Sequence, residues 1–123
     1  MKKRILIIDD DEPLSQLTGS ALEQSGLYEV RIENRPTLAR KAAEEFMPDL
    51  ILLDVIMPEI DGGTVASQLR ERRLLKDIPI IFLTSVVGKK EAAAHEGTIG
   101  KEHFLAKPVT IAELLEAVRS TIA

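Results

Sequence analysis

The sequence predicts an α/β domain: a doubly wound, five-stranded parallel sheet between two layers of helices. Three observations carry this. Short apolar runs recur five times in 123 residues, helical patterns separate them, and four of the five runs have too few polar positions to leave a wet face. Strands apolar on both faces need cover on both, and a (βα)5 alternation with right-handed crossovers supplies it in three layers, α/β/α.

The strands are read at "RILII" (4–8), "EVRIE" (29–33), "LILLD" (50–54), "IPIIFLT" (78–84) and "HFLAK" (103–107). Leu14, Leu17, Thr18, Ala21 and Leu22 recur at helical spacing and predict a first helix with one apolar face; Leu38, Ala39, Ala42, Ala43 and Phe46 do the same for a second. Asp11 and Glu12 precede Pro13, which suits a capped and charge-complemented first turn. Gly62 and Gly63 shape the turn into a third helix that runs to Glu71. "KKEAAAHEG" is a weak fourth, because alanine favours helix but offers little area to anchor it. The last helix has the stripe Ile111, Leu114, Leu115, Val118 and Ile122, with Thr110 and Glu113 forming a capping box at its start. Phe46 and Phe82 are expected in the core, and Met57-Pro58 as a pair that shapes a loop.

Composition narrows the function. The length suits one domain over residues 1–123 with no output domain. A net charge of -4 with 29% charged residues leaves no electrostatic footprint for direct nucleic-acid binding. Cysteine is absent, which removes disulfides, thiolate metal sites and cysteine nucleophiles. "MKKRILII" has too short an apolar run for a signal peptide, and no run approaches the length of a membrane span. A cytoplasmic location is the expectation. His95 and His103 have no partner at metal or triad spacing and read as surface residues.

Ligands in such sheets bind at the carboxyl ends of the strands. Asp9 and Asp10 follow the first strand, Asp54 ends the third, Thr84 ends the fourth and Lys107 ends the fifth. Thr84 alone would be an ordinary strand residue and Lys107 an ordinary surface lysine; their value lies in the set. Three crowded carboxylates persist when a cation offsets them, and oxygen-only ligation favours Mg²⁺ or a similar hard ion such as Mn²⁺. Asp54, held at the rim of the core, can act as a nucleophile toward phosphorus and form an acyl phosphate.

The motifs "LIIDDDEPL", "PDLILLDVIMPEIDG", "IIFLTS" and "FLAKPV" occur here in the order and approximate spacing of the receiver domain of two-component response regulators, and the chain resembles that family along essentially its whole length. The resemblance implies a flavodoxin-like strand order 2-1-3-4-5. It implies Asp54 as phosphoacceptor, Asp9, Asp10 and Asp54 as metal ligands with the backbone carbonyl of Ile56, Thr84 as switch hydroxyl, Lys107 as phosphate contact and Phe104 as switch aromatic. The implied donor is a phosphohistidine on a sensor histidine kinase or histidine phosphotransfer domain. The implied output is an altered surface on the fourth helix, fifth strand and fifth helix, read by a downstream protein, with the chain a monomer or a phosphorylation-dependent homodimer. Phosphorylation and dephosphorylation are self-catalysed in the family, without the turnover of an enzyme.

Two departures stand out. Ile56 and Val86 flank the path of the hydrolytic water in the family and are apolar here, which predicts slow autodephosphorylation. "HEGTIGKEHFLAKP" has two glycines and an added residue before the fifth strand, which predicts a looser fourth helix and following loop, with an adapted output surface or local mobility there. Two other functions compete: a Mg²⁺-dependent phosphohydrolase with an aspartate nucleophile, and a receiver-like interaction module that is never phosphorylated. The first would need a second acid where Ile56 stands; the intact set of Asp9, Asp10, Asp54, Thr84 and Lys107 argues against the second.

Overall fold

The computed structural model describes residues 2–55, 57, 60–84, 98–99, 102–106 and 110–122, those in strands 98–99 and 102–106 in part by backbone alone. Its elements are β1 (Lys3–Ile8), α1 (Glu12–Gln24), β2 (Tyr28–Glu33), a 3-10 turn (Pro36–Leu38) leading into α2 (Ala39–Phe46), β3 (Leu50–Asp54), α3 (Gly62–Arg70), β4 (Ile80–Thr84), β5 (Thr98–Ile99), β6 (Glu102–Ala106) and α4 (Ile111–Ile122). The predicted weak helix over 89–97 lies outside the described residues.

The sheet order is β2-β1-β3-β4-β6-β5. All the pairings from β2 across to β6 are parallel, so the five predicted strands stand in the order 2-1-3-4-5. The short β5 adds an antiparallel edge, with Thr98 opposite His103 and Ile99 opposite Glu102. Two residues are too few to make a readable pattern, and this strand exists only by pairing with β6.

Alternation along the central strands divides the core in two. Leu6, Ile8, Ile51, Leu53, Ile80 and Phe82 face α2 and α3, where Ala39, Ala43, Val65 and Leu69 are buried. Ile5, Ile7, Leu50, Leu52, Ile81 and Leu83 face the other side, packing with Leu22 of α1 and with Leu114 and Val118 of α4. A strand with period-two side chains that are apolar at every position has no other way to bury both faces. Phe82 is in the core as expected, and Phe46 packs against it with Arg4 over its ring.

Helix α1 corrects one expectation. Its buried residues are Ser15, Gly19 and Leu22, whereas Leu14 and Leu17 are 37% and 63% exposed. The two stripes overlap by a single step around the helix, and close approach to β2 selects the smaller side chains. A Cβ on Gly19 would already lie 3.2 Å from Ile32 Cδ1 and 3.3 Å from Val30 Cγ1. Ile111 likewise leaves its predicted stripe and is 53% exposed, because it opens α4, ahead of the turn that meets the sheet. Met57 is buried against the α2–α3 side of the core, whereas Pro58, the other half of the predicted loop-shaping pair, lies outside the described residues.

Local chemistry explains the helix ends. Asp11 caps α1 by accepting from the Leu14 N–H at 3.0 Å, and Asp61 caps α3 through the Thr64 N–H at 2.8 Å. The Thr110–Glu113 capping box forms in both directions, at 3.0 and 3.1 Å, satisfying donors that the first turn of a helix leaves over. Arg70, in the last turn of α3, donates to the carbonyls of Lys76 and Ile78 at 2.9 and 2.7 Å. It thereby folds the irregular 71–78 segment back toward β4.

Candidate functional site

The parallel register brings three strand ends to one edge. β1 lies beside β3, with Ile8 level with Leu53, and β3 lies beside β4, with Asp54 level with Leu83. The residues that follow or close these strands are Asp9, Asp54 and Thr84. Asp54 is the last residue of an entirely buried strand, so its backbone is held by the ladder while its carboxylate reaches the rim. Its own exposure is 6% and that of Asp9 is 2%, whereas Asp10 is exposed.

One carboxylate oxygen from each of Asp9, Asp10 and Asp54 can be chosen so that all three lie within 4.8 Å of one another. Oxygens this close repel, and burial of two of them strengthens the repulsion. A hard divalent cation fits such a donor set, since it takes carboxylate oxygens and retains waters for an incoming phosphate. The exposed Asp10 leaves the cluster open on its solvent side.

The loop after β1 is built to present these acids. The Asp11 N–H donates to Asp9 Oδ1 at 2.9 Å, an Asx-type turn that sends the chain into α1. The four acids of residues 9–12 therefore divide as expected, with Asp9 and Asp10 in the cluster and Asp11 and Glu12 at the helix start.

After β3, the Val55 N–H continues the ladder to the Leu83 carbonyl at 3.0 Å, and the Val55 carbonyl accepts from the Gly62 N–H at 2.8 Å. Gly62 opens α3 and does more than shape a turn. A Cβ there would meet the Asp54 carbonyl oxygen at 2.7 Å and Val55 Cα at 2.8 Å, so only glycine lets the helix sit against the strand end. Two consecutive glycines after "PEID" signalled a tight turn but not this contact.

The remaining predicted residues are placed as follows. Thr84 closes β4 next to the end of β3 and is described by its backbone. Phe104 lies in β6 level with Phe82, and the two rings stack with centroids 4.9 Å apart; the predicted switch aromatic is thus half-buried against a core residue. Lys107, Ile56, Val86 and His95 lie outside the described residues, as does half of the "HEGTIGKEHFLAKP" stretch. Among the described residues no helix is long and apolar enough to cross a membrane.

The acids thus gather at the carboxyl edge of a 2-1-3-4-5 parallel sheet, where open α/β domains bind their ligands. The chain belongs to the response regulator receiver domain family, whose sequence profile matches residues 5–119. It is 36% identical over 119 residues to the DNA-binding dual master transcriptional regulator RpaA of Synechocystis, covering 97% of this chain and 48% of RpaA. It is 32% identical over 121 residues to the polar-differentiation response regulator DivK of Brucella anthropi, covering 98% of this chain and 96% of DivK. In structure it is similar to the chemotaxis protein CheY4 of Vibrio cholerae, with a TM-score of 0.84 at 27% identity over 98% of this chain and 99% of that one. The chain spans about half the length of RpaA and of the PhoP regulator of Bacillus subtilis. Receiver domains are signalling switches of two-component systems rather than enzymes in the ordinary sense.

Proposed function

We propose that this chain accepts a phosphoryl group on Asp54 from a phosphohistidine of a sensor histidine kinase or histidine phosphotransfer domain, and that the added charge changes which protein it binds. The observation that carries this reading is the convergence of the buried Asp54 with Asp9 and Asp10 at the carboxyl edge of the sheet. A carboxylate oxygen of Asp54 forms the new O–P bond as the donor's N–P bond breaks, and the electron pair of that bond returns to the imidazole. Little covalent machinery is needed, so the protein contributes position and charge. Asp9, Asp10, Asp54 and the Ile56 carbonyl would hold Mg²⁺ or Mn²⁺, which when bound neutralises charge on the phosphoryl oxygens.

The switch follows from the same edge. The Thr84 hydroxyl and the Lys107 ammonium turn toward the new phosphoryl group, and Phe104 repacks with them. The face built from the segment after β4, β6 and α4 then shifts between two packings. A stacked Phe82–Phe104 pair supports this reading, since packed aromatic contacts have discrete alternatives rather than a continuum. A few kcal/mol of differential stabilisation is enough to move such an equilibrium.

Incubation with Mg²⁺ and acetyl phosphate, followed by intact mass measurement, tests the reading. Wild type should gain one phosphoryl group and Asp54→Asn none. Equal labelling of the two proteins would remove Asp54 from its assigned role.

A further inference from the structure

Asn34 immediately follows β2, and neither its position nor its type drew attention in the sequence. Its Nδ2 donates to the backbone carbonyl of Asp9 at 2.7 Å and to Ser15 Oγ at 2.9 Å. Ser15 is buried in α1 and donates its own hydroxyl to the Glu12 carbonyl at 3.0 Å. The Asp9 N–H donates to the Glu33 carbonyl at 3.2 Å. Two consecutive residues, Glu33 and Asn34, thus hold both backbone polar groups of Asp9, and Asn34 ties that grip to the first turn of the helix beyond.

The consequence falls on Asp10. The Asp9 carbonyl and the Asp10 N–H belong to one planar peptide unit, so fixing that oxygen fixes the direction in which Asp10 leaves the strand. Asp10 is exposed, and its carboxylate has no hydrogen-bond partner among the described residues. Without an anchor of its own, it depends on the backbone to stay within reach of Asp9 and Asp54. Partners that orient ligands in this way commonly matter to metal affinity as much as position does.

We propose that Asn34 is a positioning residue for the divalent cation, acting through the Asp9–Asp10 peptide with Ser15 as its second anchor. The inference rests on the metal-dependent reading above, but not on Asp54 being the phosphoacceptor.

Mg²⁺ binding measured by titration calorimetry on the full chain, without any phosphodonor, tests it. Asn34→Ala and Asn34→Ser, the latter polar but too short to reach both acceptors, should each bind Mg²⁺ roughly tenfold more weakly than wild type. Labelling by acetyl phosphate should be slowed at low Mg²⁺ and recover as Mg²⁺ approaches saturation, a split that general loss of structure does not produce. A folded variant of either kind that binds Mg²⁺ as tightly as wild type overturns the proposal, and so does a wild type that binds none. Weaker binding in the Asn34 variants combined with undiminished labelling of Asp54→Asn would uphold the clasp and overturn the phosphoacceptor assignment.

Discussion

Gly62 lies so close to Asp54 that a Cβ on the glycine would sit 2.7 Å from the aspartate's carbonyl oxygen. Helix α3 is therefore pressed directly onto the strand end that carries the central acid. The contact is with backbone, which cannot swing aside as a flexible side chain can.

Gly62→Ala should destabilise the fold by about 1–3 kcal/mol, the usual cost of forcing extra volume into a packed site, and should slow the labelling of Asp54. The neighbouring Gly63 is the internal comparison, because its Cβ would meet only Asp61 Oδ1, at 3.2 Å. Gly63→Ala should change stability by less than about 1 kcal/mol, helix propensity offsetting a small adjustment of the cap. Urea denaturation of both variants checks the pair; equal costs at the two positions would contradict the contact.

Removing one acid from the cluster should have opposite effects with and without metal. In chelator, Asp10→Asn relieves repulsion among the three carboxylates and should melt at a higher temperature than wild type. In millimolar Mg²⁺, wild type should gain stability by linkage to binding, and Asp10→Asn should gain less. Thermal melts of both proteins in the two buffers decide the matter. A wild type whose melting temperature ignores Mg²⁺ would count against a cation site.

Ile56 and Val86 bear on the lifetime of the signal. Neither side chain can hydrogen-bond a water, so the acyl phosphate on Asp54 should decay slowly, and the double variant Ile56→Asn, Val86→Asn should shorten its lifetime several-fold or more. The time course of adduct mass after removal of the donor gives both rates directly. Decay at the same rate in the two proteins would show that these side chains do not control the water.

Much of this protein was legible in order of residues. Runs such as "LILLD" are apolar at every position, and only a sheet covered on both faces buries them, so strand identity and layer number follow from period and composition. Asp9, Asp54 and Thr84 fall at the strand ends, and parallel pairing alone brings those ends to one edge. The capping residues Asp11, Thr110 and Glu113 were readable because a cap is a contact across three positions in the chain.

Tertiary structure decided what depends on residues distant in sequence. Leu14 and Leu17 look like the inner face of α1, yet proximity to Val30 and Ile32 turns Ser15 and Gly19 inward, a choice between stripes one step apart that periodicity cannot make. The Thr98–Ile99 strand exists only through its partner in β6. Asn34 becomes part of the site only because β2 ends beside the loop that carries Asp9. Local chemistry named the acids, and packing between strands set how firmly each is held.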